Sequence, residues 1–299
     1  MSEGDYTGVL PIFKEKGFTS NDVVVKLRGI LRMKRIGHTG TLDPEAEGVL
    51  PVCLGKATKI SGFLTDSDKT YRCVMRLGIV TDTEDMTGKV IKTGDTDGIG
   101  EADIIRTVKG FTGEYDQIPP MYSAKKVNGK KLYELAREGS TIERNPSRVY
   151  IRSISDISVT DTDGELRASF TVECSKGTYI RSLCRDIGEK IGCGGCMESL
   201  VRTRACGIGA DECLTLSQVE SLIHGGGDIR EHIFDTDHFY MDCKSMSVSG
   251  QTEKLVKNGN SFKLSDEVSG RYRVYLEDGT FAALYDIKDG GARLCRMFL

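Results

Sequence analysis

A chain of 299 residues, 38% apolar and 28% charged, has room for one large domain and a smaller one. No apolar run approaches the roughly 20 residues needed to cross a bilayer, and the polar start MSEGDYTGVLPIFKEKG lacks the basic-then-apolar layout of a leader, so a cytoplasmic protein without membrane attachment is expected. A net charge of −3 excludes a uniformly basic nucleic-acid-binding chain, and ten scattered cysteines fit reduced thiols better than a secreted disulfide scaffold.

The first predicted helix starts near Ser20 or Asn21, either of which can cap it, with Val23, Val24, Leu27, Ile30 and Leu31 recurring at helical spacing. The stretch Arg35 to Lys59, RIGHTGTLDPEAEGVLPVCLGKATK, follows it and sets Asp43 among glycine, threonine and histidine. Read locally, Asp43-Pro44 fits the capped start of a short helix, because Asp is a good N-cap and Pro suits the first helical position. Thr70 to Gly78 predicts a strand with Tyr71, Cys73, Met75 and Leu77 facing inward and Arg72 and Arg76 outward.

From Ala124 to Ser153 eight basic residues stand against three acidic ones, so a local patch rather than the whole protein would meet a nucleic acid. Ile151 to Thr160 and the alternating Leu166, Ala168, Phe170, Val172 and Cys174 predict a hairpin turning at Asp163-Gly164. The period becomes helical from Thr178, with Ile180, Leu183, Cys184, Ile187 and Ile191 in a stripe ending at Gly192, and Arg181 at the strand-to-helix junction.

Cys193 and Cys196 form a CGGC flanked by Cys184 and Cys206. Cys184 falls inside the predicted helix, the spacings fit no zinc ribbon, and no thioredoxin-like strand precedes the pair, so thiols without metal or redox function are expected. From about Met241 a separate small β module is expected, with Arg271 to Leu276 and Thr280 to Tyr285 around Glu277-Asp278-Gly279. Hairpins rather than regular βαβ alternation carry the pattern, which gives a mixed α/β fold with a mainly antiparallel sheet and flanking helices.

Five strings then occur in one order: the Asp43 stretch, DKTYRCVMRLG, QIPPMYSAKKVNGKKLYELAREG, SKGTYIRSLCRDIG and SLVRTRACG. Together with GVLPIFKEKGFTSNDVV they span Gly8 to Gly207 and resemble the motifs of the TruB-type bacterial tRNA pseudouridine-55 synthases. The resemblance implies the pseudouridine synthase fold and a base-flipping isomerase of the T-loop uridine, without cofactor or metal. It further implies binding of the tRNA T-arm as a monomer, with no obligate protein partner. Asp43 falls on the catalytic aspartate, Arg181 on the arginine that pairs with it, and Tyr71 on the tyrosine that stacks on the target uracil and is a candidate to remove its C5 proton.

By the same resemblance Tyr179 and Leu200 wall the base pocket, and His38 supports the nucleotides displaced by flipping. Lys59 and the lysines Lys125, Lys126, Lys130 and Lys131 bind RNA, the last four within an RNA-gripping insert at 117–150. Two departures stand out: Lys14-Glu15 replaces the usual Lys-Pro, expected to loosen a turn, and Val201 replaces the first arginine of the SALRRT-type ending. LVKNGNSF resembles the entry of a PUA domain, a small RNA-binding β barrel. The expected domains are therefore 1–240, catalytic, and 241–299, PUA-like.

Overall fold

The structure, a computed structural model, describes residues 5–123, 126–127, 130–132, 142–265 and 267–299. Its centre is a mixed sheet in which the strands Gly8–Lys14, Glu47–Leu54, Gly195–Ala205, Lys69–Leu77, Glu165–Cys174, Ser147–Thr162 and Gly113–Gln117 lie side by side in that order. Every neighbouring pair on this path is antiparallel except Glu47–Leu54 with Gly195–Ala205, which run parallel. The strand Ile36–His38 adds to Glu47–Leu54.

Alternation explains the middle of the sheet. In Lys69–Leu77 the residues Tyr71, Cys73, Met75 and Leu77 are buried, as period-two patterning requires, and they meet Ala168, Phe170 and Val172 from the next strand. The hairpin turns where the pattern predicts, with Asp163 at φ 55° and Gly164 at φ 75°, the two positive values that match strand twist in a two-residue loop. Leu183, Cys184 and Ile187 of the helix Ile180–Ile191 close this core together with Ile104 and Val108 of Glu101–Lys109.

Two further apolar clusters hold the rest. The helix Ser20–Leu31 buries Val23, Val24, Leu27 and Leu31 against Leu10, Leu50, Leu54 and the helix Leu216–His224. Its cap is Thr19, one residue before the expected Ser20 or Asn21: the Thr19 hydroxyl accepts from the Asp22 amide at 3.1 Å while Asp22 reaches back to the Thr19 amide at 2.8 Å. Ser20 is thereby released for another task described below.

The C-terminal sheet orders Lys244–Ser247, Gly270–Tyr275, Phe281–Lys288, Gly291–Met297 and Phe262–Lys263, so the expected hairpin is present and gains strands that composition did not reveal. It does not hang free. Leu284 and Phe298 share one buried cluster with Val9, Ile60, Leu64 and Tyr240 of the large sheet and its loops.

The short helix that Asp43-Pro44 suggests when read locally does not form. Residues 44–45 make a turn closed by the Ala46 amide on the Asp43 carbonyl at 3.1 Å, and the chain then enters Glu47–Leu54. Gly48, at φ 109°, lets this strand approach its parallel neighbour, because a Cβ there would lie 2.2 Å from the Arg202 carbonyl.

Candidate active site

The Asp43 loop is held by main-chain bonds, among them the Gly17 amide on the Pro44 carbonyl at 2.9 Å, and by side chains that grip its backbone from outside. The Ser20 hydroxyl accepts from the Leu42 amide at 2.9 Å and lies 3.3 Å from the Leu42 carbonyl, while Arg202 donates from Nη2 to the Gly40 carbonyl at 3.2 Å and from Nε to the Val49 carbonyl at 2.7 Å. Lys14 Nζ donates to the carbonyls of Phe18 (2.7 Å), Glu15 (3.1 Å) and Pro44 (3.2 Å). Lys14 is fully buried, and burial pushes its ammonium below the usual lysine range. The Lys14-Glu15 turn is therefore tied down, against the loosening expected from the missing proline.

Lys14→Met keeps the aliphatic stem but strands three carbonyls. We expect a stability loss of about 1–3 kcal/mol, read as a lowered denaturant midpoint with unchanged slope.

Arg181, on the first turn of its helix, reaches the tip of this loop in a two-pronged pair. Its Nε lies 2.8 Å from Asp43 Oδ2 and its Nη2 3.1 Å from Oδ1. Nη1 donates to the Thr83 carbonyl at 3.1 Å and Nη2 also to the Tyr122 carbonyl at 2.9 Å, so four of the five donors of a nearly buried guanidinium are used. Asp43 is 38% exposed while Arg181 is 5% exposed, which places the cation beneath and the carboxylate at the surface of a cavity.

A second carboxylate attends the same arginine. Asp85 Oδ2 lies 3.9 Å from Arg181 Nε, and Asp85 Oδ1 is fixed by the Thr83 and Thr87 hydroxyls at 2.7 and 2.6 Å and by the Thr87 amide at 3.0 Å. Sequence reading missed Asp85. The string TDTEDMTG, dense in short polar residues directly after a strand, was the available signal.

The cavity measures about 770 Å³ and is lined by Asp43, Tyr71, Tyr122, Tyr179, Arg181, Leu200 and Arg202 among others. Tyr71 sits on the inner face of its strand opposite Arg202, two residues along from the Cys73–Leu200 pairing, which puts ring and leucine on the same face. Burial pushes the Tyr71 phenol up, and the Arg202 cation partly offsets this by favouring the phenoxide. Arg202 itself is 1% exposed and forms no ion pair among the described residues.

Tyr179 is pinned by a side chain 62 residues away: Gln117 Oε1 accepts its amide at 2.8 Å and Gln117 Nε2 donates to its carbonyl at 3.0 Å. Lys69 also lines the cavity, its ammonium donating to the Thr65 carbonyl at 2.6 Å and pushed down by burial. Gln117 and Lys69 both lie within the motif strings, yet nothing in those strings marked either as a residue of the site.

Other expected residues stand elsewhere. His38 ends the short strand Ile36–His38 outside the cavity lining, its Nδ1 buried without a partner and its imidazole held below the usual range by burial and by Arg202. Lys59 donates to the Leu299 carbonyl at 3.0 Å and does not line the cavity. Lys125 and the side chains of Lys126, Lys130 and Lys131 lie outside the described residues, although the backbone of Lys126–Val127 pairs with that of Lys130–Lys131.

Cys193 and Cys196 are buried; the Cys193 thiol faces the Gly194 carbonyl at 3.2 Å, and Cys196, pushed up to about 11 by burial, contacts Met86 Sδ at 3.5 Å. Among the described residues no group of three or more His, Cys, Asp or Glu side chains is placed to hold a metal ion.

A paired carboxylate facing a cavity beside a tyrosine, on a mixed sheet, agrees with what known proteins show. The sequence pattern of the TruB family pseudouridylate synthase N-terminal domain matches residues 28–180, and that of the tRNA pseudouridylate synthase B C-terminal domain matches 181–239. The chain is 45% identical to the tRNA pseudouridine synthase B of Lachnoclostridium phytofermentans, over 98% of this chain and 99% of that one, and 40% identical to that of Clostridium perfringens strain SM101, with the same coverage. The chain belongs to the TruB family of pseudouridylate synthases.

Two solved structures share its fold across 98% of the chain at 22% identity and TM-score 0.69. One is an H/ACA RNP bound to a substrate RNA containing 2'-deoxyuridine, of which 85% of the matched chain is covered, and the other an archaeal box H/ACA sRNP complex, with 86% covered. The likeness extends through the C-terminal β-rich unit.

Proposed function

We propose that this chain converts the T-loop uridine at position 55 of tRNA to pseudouridine, with Asp43 as the acting carboxylate. The supporting observation is the two-pronged Arg181–Asp43 pair at the wall of a cavity that also holds Tyr71 and Leu200. In this reaction the N1–C1′ bond breaks, a C5–C1′ bond forms, the C5 proton leaves and N1 gains a proton, with no net redox change or hydrolysis. The anomeric carbon is electron-poor once N1 departs, and a carboxylate is the side chain suited to meet it, as carboxylates do in glycoside hydrolysis.

Arg181 meets both oxygens of Asp43 and fixes the direction of its carboxylate. Tyr71 and Leu200 sandwich the uracil, Tyr179 closes another wall, and Tyr71 accepts the C5 proton with Arg202 favouring its phenoxide. The target must leave the RNA stack to enter the cavity, at a cost of a few kcal/mol. In this reading His38 supports the opened loop, while Lys59, Lys125, Lys126, Lys130 and Lys131 contact phosphate. Residues 1–240 form the catalytic domain with its insert at 117–150, and 241–299 form a PUA-like RNA-binding domain. The enzyme acts on the T-arm as a monomer in the cytoplasm, without metal or cofactor. Among the described residues no helix is long and apolar enough to cross a membrane.

The test is to incubate unmodified tRNA with purified protein and map pseudouridine by chemical modification and primer extension. One new stop at the T-loop uridine, unaffected by chelator, is expected. A protein that binds tRNA and never modifies it would replace this reading with a noncatalytic RNA-binding one.

A further inference from the structure

A second concave surface lies at the opposite end of the strand pair that carries His38. Its volume is about 380 Å³, and its lining is Asp5, Thr7, Arg32, Met33, Lys34, Arg35, Gly55 and Lys56. Two chain segments bring the four cations together. Arg32 ends the Ser20–Leu31 helix with left-handed backbone at φ 52°, delivering Lys34 and Arg35 to the start of Ile36–His38. The partner strand Glu47–Leu54 ends beside them, because Ile36 pairs with Leu54 and the Gly55 amide donates to the Arg35 carbonyl at 2.9 Å, and Lys56 follows at once.

All four cations are exposed. The side chains of Arg32, Lys34 and Lys56 make no hydrogen bond or ion pair among the described residues, and Arg35 spends only its Nε, on Thr58 Oγ1 at 2.8 Å. The single carboxylate in the lining, Asp5, also lies in the field of Arg230. Four like charges gathered in one cleft repel one another unless an anion joins them. The cleft is open and its donors are spread along it, which suits an extended chain of phosphates better than one enclosed group.

Its position connects two other parts of the molecule. The three-residue strand Ile36–His38 spans roughly 10 Å and leads from Arg35 to the Asp43 loop. On the other side Lys56 opens the helical turn Gly55–Ile60, where Lys59 Nζ holds the Leu299 carbonyl and the Lys59 carbonyl accepts from Arg296, so the C-terminal β unit is docked there.

We propose that the cleft of Arg32, Lys34, Arg35 and Lys56 binds the phosphodiester backbone of the RNA whose base enters the Asp43 cavity, forming a cationic path from that cavity to the C-terminal unit. This rests on the RNA-isomerising reading above. The flipped base fixes where the strand enters, and its flanking stem must leave across this face or another. This face carries unpartnered charge.

The test is the full-length variant R32Q/K34Q/R35Q/K56Q, compared with wild type for RNA affinity across a salt series and for single-turnover pseudouridine formation at saturating RNA. Each lost phosphate contact flattens the logarithmic salt slope by about 0.7–0.9, so a change of roughly 2–3 and at least about a tenfold loss of affinity are expected. That loss should exceed any effect on the saturated rate. The double variant K34R/K56R preserves charge and should keep the wild-type slope, which separates charge from shape. An unchanged slope in the quadruple variant, while wild type still modifies RNA, overturns the proposal, as does capture of an acidic protein with no change in RNA affinity. A saturated rate that falls as far as the affinity overturns it too, placing the cleft in the support of the Asp43 loop. Wild type that never modifies RNA fails the earlier reading instead.

Discussion

Asp43→Asn is expected to reduce pseudouridine formation by roughly four orders of magnitude, the scale at which loss of a single catalytic carboxylate registers, while tRNA affinity changes little. Asparagine retains the size of the side chain and one carbonyl acceptor for Arg181, and the loop's anchors on Ser20, Lys14 and Arg202 do not involve the carboxylate. Fold and RNA surface therefore persist, and only the ionised oxygen is lost. Single-turnover assays at saturating tRNA, with filter binding in parallel, separate the two effects. Turnover at the wild-type rate would remove Asp43 from the chemistry.

Arg181→Lys should cost about two to three orders of magnitude in rate with a smaller change in apparent affinity. A lysine keeps the charge, yet one ammonium cannot serve both oxygens of Asp43 together with the carbonyls of Thr83 and Tyr122, which the guanidinium fork meets at 2.8–3.1 Å. Its hold on Asp85 weakens as well, since that carboxylate faces the same Nε. Arg181→Met should go further and unfold the protein more readily, because it also leaves the Thr83 and Tyr122 carbonyls without their donor. Equal kcat for wild type and Arg181→Lys would show that Asp43 needs only a nearby positive charge.

Sequence carried the parts of this site that depend on local pattern. Tyr71 and Arg181 lie where alternation and helical period place an inward strand position and a helix start, and the strings around them and around Asp43 are distinctive enough to order the motifs. What escaped was contact between a side chain and distant backbone. Lys14 meets Pro44 across 30 residues, Ser20 meets Leu42 across 22, and Gln117 meets Tyr179 across 62. No periodicity encodes such bonds, and a lysine at a strand end reads as solvated until the strand is seen to be buried at both faces. Asp43-Pro44 read locally suggests a helix start, and the strand that follows instead, Glu47–Leu54, pairs with Gly8–Lys14 and Gly195–Ala205, both distant in sequence. In the C-terminal unit the Asp278-Gly279 turn was legible, whereas Lys244–Ser247 pairs in parallel with Gly270–Tyr275 and left no short-range mark.

The Asp43 loop is gripped largely through its main chain, and while Leu42 and Ala46 pack into the core and Asp43 pairs with Arg181, two of its side chains point outward. Among the described residues exposed Thr41 makes no hydrogen bond, and Glu45, also exposed, forms one ion pair, with exposed Lys16 at 3.4 Å. A reporter group can therefore be placed at Glu45, beside the mouth of the cavity, without shifting the carboxylate two residues before it. Such a labelled enzyme would emit its signal as a base arrives, and would time the entry of the nucleotide separately from the isomerisation that follows.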